Sequence, residues 1–129
     1  MAHRGRCECG GVRYEVTGEL RQVVVCHCAR CRRTHGDAAG YTSCHRSELT
    51  MLEASTLRWY AADERRRGFC SRCGGSLFWQ ADGEDEISIT AGTLDQPTGL
   101  RTVAHIHVDS AGDYELLPEG VRRHHGTLP

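Results

Sequence analysis

Phe69-Cys70-Ser71-Arg72-Cys73-Gly74-Gly75 sets two thiols in a C-x-x-C spacing and follows them with a glycine pair. Thiols so spaced can point at one metal ion, and the glycines permit a tight turn with close backbone approach. Such a knuckle supplies half of a tetrahedral site. The remaining ligands must come from elsewhere in the chain.

Two other stretches can supply them. Cys7-Glu8-Cys9-Gly10-Gly11 offers a second pair beside glycines, and Cys26-His27-Cys28-Ala29-Arg30-Cys31 packs three thiols and an imidazole into six residues. Seven of the eight Cys fall into these three groups, and Cys44 stands apart. Two partitions follow. In one, Cys7, Cys9, Cys70 and Cys73 close a structural site and Cys26, Cys28 and Cys31 form a three-ligand site with a position free. In the other, Cys28/Cys31 and Cys70/Cys73 make a rubredoxin-like site and strand Cys26 and the N-terminal pair. The first uses every clustered thiol.

Metal is favoured over disulfide. The start, Met1-Ala2-His3-Arg4-Gly5-Arg6-Cys7, holds no apolar run of signal-peptide length, and no later segment reads as a membrane span, so a reducing, cytoplasmic location is expected. Thiolate-rich tetrahedral sites suit zinc, with iron or an iron–sulfur cluster as competitors. The formal charge of −1 from 16 basic and 17 acidic residues provides no field to draw nucleic acid or an anionic membrane. Every basic residue is Arg, which excludes a lysine Schiff-base mechanism. Arg30, Arg32 and Arg33 flank the three-thiol cluster, and Arg65, Arg66, Arg67 and Arg72 flank the knuckle. They can offset thiolate charge or grip an anionic substrate.

Short strands recur between glycines while helical periodicity is weak, so the expected fold is mainly β, with small antiparallel sheets and hairpins pinned by metal. Strands are read at residues 12–16, at Gln22-Val23-Val24-Val25 running into Cys26, at 40–45, 57–60, 76–80, 86–90, 103–108 and 113–116. A helical turn is read from Ala29 to Thr34, stopped by Gly36. Residues 46–56 read as a polar connection, Arg65–Arg67 as a solvated turn, and Gly92-Thr93-Leu94-Asp95 as a loop. In the strand at 103–108, Ala104, Ile106 and Val108 would share one face and Val103, His105 and His107 the other, where these two histidines line a pocket or are satisfied within the sheet. One domain of 129 residues is expected, with a core at about 4–117 and a mobile tail from Pro118. Its apolar fraction of 39% is thin, which gives a structural metal a thermodynamic role.

The pieces Cys7-x-Cys9-Gly10-x-Val12-x-Tyr14, Cys26-His27-Cys28-x-x-Cys31-Arg32-Arg33, Arg67-x-Phe69-Cys70-x-x-Cys73-Gly74, Gly92-Thr93-Leu94-Asp95 and His105-Ile106 stand in one order along most of the chain. In them the sequence resembles the glutathione-dependent formaldehyde-activating (Gfa-like) family, related to the centromere protein V domain. The resemblance implies a β-tent type fold and two zinc ions per chain. One would be structural, at Cys7, Cys9, Cys70 and Cys73; the other catalytic, at Cys26, Cys28 and Cys31. It implies a carbon–sulfur lyase of the S-(hydroxymethyl)glutathione synthase type, joining glutathione or a similar thiol to formaldehyde or another small aldehyde.

Competing expectations are specific. The three-thiol site would be a second structural zinc if His27, His35, Cys44, His45 or a terminal His completed it, and the chain a non-catalytic zinc module or carrier. His27 is expected to point away from the metal, and Cys44 to be a buried inert thiol.

Overall fold

The computed structural model describes residues 2–128. Strands β1 (His3–Arg6), β2 (Arg13–Val16) and β3 (Val23–Cys26) precede helix α1 (Ala29–His35). Then follow β4 (Ala39–His45), β5 (Leu49–Glu53), β6 (Leu57–Ala62) and β7 (Arg65–Cys70). Last come β8 (Ser76–Ala81), β9 (Glu86–Thr90), β10 (Thr102–Ile106) and β11 (Arg122–Arg123). The fold is mainly β with short strands, as the glycine-punctuated alternation implies. The chain divides into two compact units, and β4 runs through a boundary between them.

The first unit holds the chain up to Arg21 together with Thr42–Gly99. Its small sheet is antiparallel in the order β1-β2-β5, and β6, β7, β8 and β9 pair antiparallel in sequence. Alternation drives the burial: β2 exposes Arg13 and buries Tyr14 and Val16, while Ile87 and Ile89 turn inward from β9. Tyr14, Leu77 and Ile89 are fully enclosed, each contributing about 1.5–3 kcal/mol over the exposed state. The Tyr14 ring meets Phe78 edge-on at 5.4 Å, and its hydroxyl lies 2.7 Å from Thr93 Oγ1.

The second unit holds Gln22–Tyr41 and the chain from Leu100 onward. Here β3 pairs antiparallel with the start of β4, but parallel with β10, so hairpins alone do not build the fold. The helix follows the expected signals. Cys28 caps it in an extended conformation, and Gly36 ends it at φ 82, where a side chain would be strained.

Four expectations fail. Residues 49–53 form β5, because Leu49 and Met51 alternate against β2; the flanking Glu48 and half-exposed Leu52 disguised the pattern. The arginine run is no solvated turn: it opens β7, with Arg67 9% exposed and the Arg66 guanidinium 3.9 Å from the Trp59 ring centroid. Residues 113–116 form no strand, and Leu116 is 90% exposed. Within the tail, Arg122–Arg123 form β11, paired parallel with β10, and His124 N donates to His105 O at 2.9 Å. The strand at 103–108 also ends early. His107 turns left-handed at φ 52, so the alternation predicted through Val108 breaks there.

Candidate metal centres

In the first unit, the turn between β1 and β2 carries Cys7 and Cys9, while β7 ends on Cys70 and the turn from β7 to β8 carries Cys73. Gly10 at φ 80 and Gly74 at φ 76 allow the two tight turns. Each is closed by backbone bonds, Gly10 N to Cys7 O at 3.2 Å and Gly74 N to Cys70 O at 2.8 Å.

The four sulfurs lie within 4.8 Å of one another. Cys7 and Cys9 sulfurs are 3.7 Å apart, Cys9 and Cys70 sulfurs 3.6 Å. A tetrahedron of Zn–S bonds of about 2.3 Å has an edge of about 3.8 Å, so this donor set fits a thiophilic divalent ion.

Donors surround these sulfurs. Val12 N–H reaches Cys7 Sγ at 3.3 Å, Gly11 N–H reaches Cys9 at 3.4 Å, and Cys73 N–H reaches Cys70 at 3.4 Å. Thr56 Oγ1 lies 3.2 Å from Cys70 Sγ, and Arg72 Nε donates to Cys9 Sγ at 3.2 Å. The Thr56 hydroxyl and the Cys73 N–H hold the Cys70 thiol down at about 6. The Gly11 N–H and Arg72 lower Cys9, while burial raises Cys7. Hydrogen bonds thus favour thiolates where the charge concentrates. Thr56 could not be found from sequence, since it lies outside every cysteine group.

In the second unit, β3 ends on Cys26, Cys28 caps α1 and Cys31 sits in its first turn, 5% exposed. Their sulfurs also lie within 4.8 Å of one another. Cys31 N–H donates to Cys28 Sγ at 3.3 Å. The hydrogen bond with Cys31 and burial raise the Cys26 thiol well above its ordinary value. A divalent cation reverses that preference by stabilising the thiolate.

Among the described residues, no His, Asp, Glu or further Cys joins either group. His27 is buried against His105 at 2.7 Å, His35 bonds Tyr41, and His45 bonds Ser47. Among the described residues the grouping is that of the first partition, with Cys70 and Cys73 beside Cys7 and Cys9, and Cys28 and Cys31 beside Cys26. Cys44 is 3% exposed, raised to about 11 by burial, Glu48 and Glu86. Burial and the neighbouring His27 push His105 down. Arg32 Nε donates to Ser110 O at 2.9 Å rather than to a thiol.

The model of a family described as glutathione-dependent formaldehyde-activating enzyme matches residues 2–110. A crystal structure of a Rhodobacter sphaeroides protein is similar, with a TM-score of 0.62 and 25% identity over 74% of this chain and 91% of that one. No curated protein matches the sequence. No helix among the described residues is long and apolar enough to cross a membrane.

Proposed function

The chain belongs to the glutathione-dependent formaldehyde-activating family, and from that premise we propose that it adds a small thiol, glutathione or a relative, to formaldehyde or another small aldehyde. The observation that carries this is the unequal ligand count: one group of four sulfurs and one of three, with no His, Asp, Glu or further Cys among the described residues grouped with the latter. The family match runs through segments of both units, which supports treating the chain as one functional domain.

Cys7, Cys9, Cys70 and Cys73 would hold a structural zinc, joining two turns 61 residues apart in sequence as measured from Cys9 to Cys70. Cys26, Cys28 and Cys31 would hold a second zinc and leave one position to a substrate. When bound there, zinc lowers the pKa of an incoming thiol so that it is ionised near neutral pH. In the reaction a C–S bond forms from the thiolate sulfur to the carbonyl carbon. The C=O π pair moves to oxygen, which takes up the proton the thiol released. The chain holds the sulfur in place: β3 delivers Cys26, the cap of α1 orients Cys28 and Cys31, and burial keeps bulk water from Cys31. The reaction suits a reducing compartment, where free thiols persist.

Zinc-loaded protein mixed with glutathione and formaldehyde should raise the rate of adduct exchange, followed by NMR, above the spontaneous rate, and Cys26→Ser should abolish the increment. A rate equal to the spontaneous one would leave a thiol or zinc carrier instead.

A further inference from the structure

His27 lies between two clustered cysteines yet does not join them. Cys26 ends a strand and Cys28 is extended at φ −60, ψ 154, and along an extended backbone alternate side chains take opposite faces. The cysteines therefore share one side and His27 takes the other. There it is 1% exposed, and its ring stacks on that of His105, itself 7% exposed, with centroids 5.0 Å apart.

Nε2 of His27 lies 2.7 Å from Nδ1 of His105. Nδ1 of His27 has no partner among the described residues, so the contact with His105 is the one hydrogen bond this buried ring makes. Donation from His27 Nε2 leaves Nδ1 a bare lone pair rather than a stranded N–H, the less costly of the two arrangements. The backbone is fixed as well: His27 N donates to Ile106 O at 3.0 Å, and Ile106 pairs with Cys26. His105 is held in turn by β3 on one side and by His124 N on the other.

We propose that the buried His27–His105 pair is the positioning element of the three-thiol group, fixing the backbone at residue 27 and with it the direction in which Cys26 and Cys28 present their sulfurs to a thiophilic divalent cation. It rests on the proposed metal at Cys26, Cys28 and Cys31. Partners behind a metal's ligands commonly govern affinity by about 10- to 100-fold.

Cobalt(II) binding to the full chain, measured by chelator competition with the sulfur-to-cobalt absorption as signal, tests it. Cys26→Ser, which keeps the four-thiol group intact, marks the level for that group. His105→Leu removes the acceptor and should weaken the second cobalt about 10- to 100-fold with the four-thiol group unaffected. His105→Asn keeps an oxygen near the Nδ1 position and should restore most of that affinity. Unchanged affinity in His105→Leu, equal loss in both variants, loss at both groups together, or failure of His105→Leu to fold would each overturn the proposal. A parent chain that holds two cobalt ions, while its zinc form does not accelerate adduct formation, would sink the proposed reaction and leave the positioning role standing. A parent chain that holds only one overturns both.

Discussion

Arg72 Nε lies 3.2 Å from Cys9 Sγ, a charge-assisted hydrogen bond between residues 63 positions apart. A four-thiolate site around a divalent ion carries a net negative charge, and Arg72 is the cation that the fold brings directly onto it. Its Nη2 also donates to Cys9 O at 3.4 Å. Arg72→Gln should therefore lose zinc to a chelator faster than the parent chain. The expected factor is about tenfold, at the low end of such effects because the side chain is exposed. An unchanged rate would show that the backbone and Thr56 donors suffice.

Cysteine substitutions should separate the two groups. Cys70 is fully buried and closes the four-thiol group, so Cys70→Ser should cost the first unit its metal and its cooperative thermal transition. Cys26→Ser should remain folded and bind one metal ion fewer. Calorimetry with metal analysis reads both, and equal unfolding by the two variants would make the three-thiol group structural too.

Gly5 and Tyr14 face each other across β1 and β2. A Cβ at Gly5 would collide with the Tyr14 hydroxyl and the Thr93 carbonyl, so Gly5→Ala should destabilise by about 1–3 kcal/mol. Tyr14→Phe loses only the bond to Thr93 Oγ1, which keeps Thr90 O as a partner, and should cost about 1 kcal/mol. Denaturant midpoints order the two.

Cys44 should resist alkylation at pH 8 in the folded protein. Burial, Glu48 and Glu86 raise its thiol from the ordinary 9.0 to about 11. The folded state holds this proton more tightly than the unfolded state, so the associated stability is present below pH 9 and is lost as pH rises towards 11. Cys44→Ala should flatten that part of the stability profile, and rapid labelling of native Cys44 at pH 8 would contradict the assignment.

Ligand grouping was legible because thiols at C-x-C and C-x-x-C spacing beside glycines have few uses other than metal. Val23-Val24-Val25, Ile87-Ser88-Ile89 and the stop at Gly36 were legible for equally local reasons. The His27–His105 contact was not: it depends on the parallel register of β3 with β10, which no local pattern encodes. Arg122-Arg123 looked unstructured because a two-residue strand buries almost nothing; it forms where β10 leaves an edge to pair with. The arginines at 65–67 misled because charge was weighed at the guanidinium, whereas the stems pack and the head of Arg66 stacks on Trp59.

The central claim is that the three-thiol group offers a substrate thiol a place. Zinc-edge X-ray absorption on the fully loaded chain, before and after adding glutathione, tests it most directly. Seven clustered thiols shared by two zinc ions give about 3.5 sulfurs per zinc without substrate, and the count should rise to about 4 when glutathione binds. A count already at about 4 without glutathione, or one that does not move on its addition, would contradict it.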